Sequence, residues 1–189
     1  MTPDKRSQLE SRRILLQQQQ QAIDFVESRI RPFVEILQNL QQNEVPFNIV
    51  EIFNILPEWK MPLAKILSQH PFATFGLDKI AWVNESILIH QLLDRYPSAN
   101  PFRYVPALPL MAGDASLSSI LQNIDATPGS VYLSYFTYPF VLQIELAHLR
   151  HLDEAELFNA WHGDAVIFPN NMQWLIAYSL EEEWRFGKG

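Results

Sequence analysis

Two clusters in this chain carry side chains that could do chemistry. His148-Leu-Arg-His151, with Asp153, Glu154 and Glu156 just downstream, offers imidazole and carboxylate groups of the kind that bind zinc. Ligands three apart share a helical face, but this segment is expected to cross a strand end, where residues three apart point to opposite faces. It also lacks the His-Glu-x-x-His pattern that sets two ligands and a base on one helix. Trp161-His162-Gly163-Asp164 places a His and an Asp beside a flexible Gly. Such a pair supports general base catalysis only with a nucleophile or a substrate pocket. Ser134 and Ser179 fall on expected strands, outside any nucleophile-elbow context. A polar strand end with a helix cap, and a satisfied turn, account for both clusters. The reading therefore assigns no catalytic residue, no metal ligand and no cofactor. The six glycines are isolated, so no phosphate-cradling loop is expected either.

The third signal is charge interleaved with aromatics. Trp161, Trp174, Trp184, Tyr132, Tyr135, Tyr138 and Tyr178 crowd the last third of the chain. From residue 141 onward eight acidic residues face three basic ones. Most of these rings should be core. Trp and Tyr beside carboxylates also anchor protein interfaces. The residues that would carry partner binding are Asp153, Glu154, Glu156, Glu181, Glu182, Glu183 and Trp184.

Net charge is −7, and it is unevenly placed. Residues 1–31 carry six Lys/Arg against four Asp/Glu, and residues 32–189 carry eight against seventeen. An acidic body repels phosphate backbones and anionic lipid and attracts a basic partner. Nucleic acid is not an expected partner, and Lys5, Arg6, Arg12 and Arg13 read as a solvated helix face. With no cysteine, disulfides and thiolate chemistry are excluded, which fits a reducing cytoplasm. No apolar run reaches the length of about 18 residues that a membrane helix needs. The polar start after Met1 lacks the apolar core of a signal peptide. Hydrophobic content of 48 % supports a packed core, so disorder is not expected.

The positioning elements follow from periodicity. Residues 1–43 form a helical segment, and residues 44–189 an α+β unit packed with it as one body. Thr2-Pro3 starts a helix, and apolar residues recur at helical spacing through Leu40. Pro32 should kink or divide it near Ser28–Arg31. Gln17 to Gln21 is expected to stay helical. Pro46 to Leu56 predicts a short buried helix, Met61 to Leu67 another, Lys79 to Asn84 a short strand, and Glu85 to Tyr96 a helix with Ile87, Leu88, Leu92 and Tyr96 inward. Residues 97–114, with four prolines, predict a long loop. Asp114 to Ile124 predicts a short helix, Val131 to Phe136 and Phe140 to Ala147 two strands, and Leu152 to Trp161 a helix.

A closing hairpin comes last. Ala165 to Phe168 is a strand stopped by Pro169, and Asn170-Asn171 is turn chemistry. Trp174 to Leu180 follows, with Trp174 and Ile176 on one face and Leu175 and Ala177 on the other. The three glutamates make a solvated tip before a short strand of Trp184, Arg185 and Phe186. The fold class is α+β, with N-terminal helices against an antiparallel or mixed sheet built mainly by the C-terminal third.

Asp164-Ala-Val-Ile-Phe-Pro, Trp174-Leu-Ile-Ala-Tyr and Glu183-Trp-Arg-Phe together resemble the end of small bacterial proteins of the toxin-immunity type. The resemblance covers residues 164–187. It implies an acidic α+β domain without an enzyme site, acting in the cytoplasm by binding the catalytic domain of a toxin. The long N-terminal helices and the proline-rich loop lie outside it. Two alternatives stand beside it: an adaptor or assembly subunit whose N-terminal helices pair with another chain, and a small hydrolase using the His148–Asp164 region. The sequence leaves the oligomeric state open.

Overall fold

Residues 3–42 run as one helical rod with a change of pitch inside it. The computed structural model describes residues 3–96, 116–123, 129–149, 157–158, 162–179 and 181–188. Helix α1 (Pro3–Phe25) passes into a π-turn (Val26–Ile30) and then into α2 (Arg31–Gln42). Pro32 has no N–H with which to answer the Ser28 carbonyl. The Arg31 N–H reaches back five residues to Val26 O, and the turn widens. The division expected near Ser28–Arg31 takes the form of a widened turn: α1 gives way over Val26–Ile30 and a second helix runs to Gln42, with the backbone helical throughout. Ala22, Val26, Ile30, Phe33, Leu37 and Leu40 are buried along it.

Strand β1 (Phe47–Ile52) replaces the short buried helix expected there. Its Phe, Ile and Val residues suit a pleated, packed surface. A bulge between Ile49 and Glu51, opposite Leu142 and Val141, breaks the period of two. Ile49 and Ile52 consequently both enter the main core. Helix α3 (Lys60–Leu67) and short 3-10 turns then lead to β2 (Ala81–Trp82), which pairs parallel with β1.

Helix α4 (Ile87–Arg95) is capped by Ser86, whose Oγ accepts from the Ile89 N–H at 3.1 Å. Leu92 and Tyr96 are buried as expected, but Ile87 is 59 % exposed, because it shares the outer face of the helix with the exposed His90, Gln91 and Asp94, while Leu88 and Ile89 of the same turn pack inward. The same Ser86 hydroxyl donates to Glu51 Oε2 at 2.5 Å, and both residues are buried. Ser86→Ala removes the cap and strips a buried carboxylate of a donor. A loss of about 2–3 kcal/mol is expected by urea unfolding. Ser86→Thr, which keeps the oxygen, should recover most of it.

Helix α5 (Leu117–Asn123) precedes β3 (Ser130–Tyr135) and β4 (Phe140–Glu145). The second of these strands was expected to reach Ala147. It ends two residues earlier, where one helical turn, α6 (Leu146–Leu149), takes over. Strands β5 (Ala165–Pro169), β6 (Trp174–Tyr178) and β7 (Trp184–Lys188) complete the sheet. Its order is β2-β1-β4-β3-β5-β6-β7, antiparallel except at β1–β2. The fold is α+β with a mixed seven-stranded sheet.

Both faces of the sheet are covered. Trp174 and Ile176 join the main core with Ile167, Leu133 and the rod. Leu175 and Ala177 join Val166, Phe168, Leu92 and Tyr96 on the other side. The alternation along β6 is the one expected. The proline-rich loop and most of the helix expected over residues 152–161 lie outside the described residues. Within that second stretch Leu157 and Phe158 are described, and both are buried.

Candidate partner-binding surface

The β6–β7 connection is built to hold carboxylates outward. Ser179 N–H donates to Glu183 O at 3.0 Å, and Glu182 N–H donates to Ser179 O at 2.9 Å. Glu182 takes a φ of 60°, which lets the chain reverse within a few residues. Glu181 and Glu182 are exposed and Glu183 is half-buried. Arg185 Nη2 donates to Glu183 Oε2 at 2.6 Å. The tip therefore divides: Glu183 is tied to its own strand, while Glu181 and Glu182 present charge to solvent.

Trp184 leaves the surface. Its ring lies 5.0 Å from Phe158 and 4.9 Å from Tyr178, and the residue is only 7 % exposed. The expected role as a partner-binding anchor is corrected to a core role that holds the acidic tip against the sheet. Alternation with Arg185 and Phe186 suggested a half-exposed strand; the ring cluster with Phe158 supplied the cover. Asp153, Glu154 and Glu156 lie outside the described residues.

His148 sits half-buried on α6, whereas Arg150 and His151 lie outside the described residues. Among the described residues, no group of three or more His, Cys, Asp or Glu could hold a metal ion. The His162 ring packs 6.0 Å from Tyr135 and 6.1 Å from Tyr138. The Asp164 carbonyl accepts from the Phe136 N–H at 2.9 Å. Ser134 is fully buried and donates to Phe140 O at 2.8 Å, so its hydroxyl serves the β3–β4 turn. Ser179 is buried at the base of the acidic tip. Neither hydroxyl is open to a substrate. Tyr135 donates to Leu157 O at 3.0 Å, and burial pushes its phenol well above the ordinary value. It stays protonated as a structural donor.

Two polar features escaped the sequence reading. The first is the buried Glu51–Ser86 pair, whose members stand 35 residues apart. Ser86 spends its hydroxyl on a cap and on Glu51, and so is not an activated nucleophile. The second is a cleft of 260 Å³ beside the π-turn, lined by Phe25, Arg29, Asn54, Trp59, Phe136 and Thr137 among others. Arg29 Nη1 donates across it to Thr137 O at 2.8 Å. Asn54, at a φ of 62°, turns the chain at its rim. The cue available in sequence was Pro32, which forces the π-turn, but nothing there brings Asn54 or Thr137 to it.

No family model matches the chain, and no curated protein or solved structure matches it either. No described helix is long and apolar enough to cross a membrane.

Proposed function

We propose that this chain is a non-enzymatic binding protein of the toxin-immunity type, which neutralises a basic toxin domain by covering it. The observation that carries the reading is the acidic tip: two exposed glutamates on a clamped reversal, backed by a buried Trp. A rigid, protruding charge pair steers encounter and loses little entropy on docking. The acidic balance of residues 32–189 extends the same field over the body. The cytoplasm is the compartment this reading assigns, and no cofactor or nucleic acid enters it.

The test uses the partner captured from source cells on the immobilised chain. Glu181→Lys with Glu182→Lys changes local charge by four units while leaving the Glu183–Arg185 bond in place. The association rate measured by stopped flow should fall about tenfold at low salt. The difference should shrink near 0.15 M salt, where the Debye length is about 8 Å. Equal rates at both salts would remove the tip from the interface.

A further inference from the structure

Two faces of α1 carry apolar side chains. One leads into the core through Ala22 and Phe25, and its outer end carries Ile14 and Leu15, both exposed. The other consists of Leu9, Leu16 and Ile23, which are 55 %, 57 % and 41 % exposed. Seven residues separate each from the next, almost two turns, so they stack in a single stripe with a drift of about 20° per step. Ile23 lies about 100° round the helix from the buried Ala22 and about 160° from the buried Phe25, so this stripe turns away from the body.

The sequence about Leu16 is matched in both directions. Arg12 and Gln20 lie four residues to either side, Leu9 and Ile23 seven, Lys5 and Glu27 eleven. Each of those spacings returns to the same helical face. Charge is also matched with opposite sign. Residues 3–16 hold Lys5, Arg6, Arg12 and Arg13 against Asp4 and Glu10, and residues 17–28 hold only Asp24 and Glu27. One half is therefore +2 and the other −2. Antiparallel pairing of two copies lays each positive half on a negative half, while parallel pairing lays like on like.

We propose that the chain forms a two-fold symmetric dimer through antiparallel pairing of α1, with Leu16 on the axis. An isologous interface requires this kind of self-complementary pattern. Leu9 of each copy packs against Ile23 of the other, in the manner of a short coiled-coil seam. Lys5 of each copy faces Glu27 of the other. Glu27 Oε2 already accepts from Arg31 Nη1 at 2.8 Å, which leaves Oε1 for the lysine. The pairing joins two bodies by their rods.

The chain has no cysteine, so single thiols report the geometry directly. Diamide, which takes up the two hydrogens, is added to Leu16→Cys, to Leu9→Cys, to Ile23→Cys and to an equal mixture of the last two. Gln17→Cys, off the stripe, is the control. Leu16→Cys should cross-link to a dimer at least tenfold faster than the control. The Leu9→Cys and Ile23→Cys mixture should cross-link at least tenfold faster than either variant alone. Leu9→Cys pairing with itself as fast as the mixture would mean parallel helices and overturn the proposal. So would cross-linking no faster than the control together with a monomer in sedimentation equilibrium, including the case in which that monomer binds anionic vesicles through this basic helix.

Discussion

Phe33→Ala should cost about 3–5 kcal/mol of unfolding free energy. Phe33 is fully buried where the rod crosses the sheet. Its ring stacks on Phe140 with centroids 4.0 Å apart and planes within 9°. It also lies 5.6 Å from Tyr138 and 6.2 Å from Tyr135. Truncation loses the burial of a whole ring and leaves a void lined by aromatics, which cannot collapse into it. Total stability of a domain this size is about 5–15 kcal/mol, so the variant would approach its unfolding threshold. Urea titration with the wild-type m-value retained is the measurement. Phe33→Leu, which fills most of the volume, should lose clearly less. A loss under about 1 kcal/mol for Phe33→Ala would mean that the rod is not packed on β4.

Gly163→Ala should cost about 2–3 kcal/mol. Two causes add. The residue has a φ of +76°, which an L side chain resists by roughly 1–2 kcal/mol. A Cβ there would also stand 2.3 Å from Thr137 Oγ1, so the hydroxyl must turn away or the two segments must part. The two causes separate in a double-mutant cycle. In a Thr137→Ala background the hydroxyl is gone, and Gly163→Ala should cost only the backbone part, about 1–2 kcal/mol. An unchanged cost in that background would place the whole effect in φ.

What the sequence made legible was governed by local period and turn chemistry. The closing strands were readable because Trp174 to Ala177 alternate between two covered faces and Asn170-Asn171 marks the reversal. The first strand was not, because the bulge at Ile49–Glu51 removes the alternation that distinguishes strand from buried helix. Its parallel neighbour β2, at Ala81, comes from a distant segment. Ile87 was placed inward with Leu88, although about 100° of helix separates the two and Ile87 falls on the outer face with His90 and Gln91. Of the candidate surface, the exposure of Glu181 and Glu182 followed from like-charge repulsion. The loss of Trp184 to the core did not, because Phe158 supplies its cover from a separate segment. Glu51–Ser86 depends wholly on tertiary contact, and no spacing rule reaches it.

On the proposed function, the chain acts by occupying its partner rather than by transforming it. Titrating the captured partner with the purified chain, while following the partner's own activity, tests this most directly. The partner's activity should fall linearly to full inhibition at one protomer per partner, independent of incubation time once binding is complete. Inhibition completed by a small fraction of an equivalent and deepening with time would mean that the chain turns over a substrate, and would contradict the account.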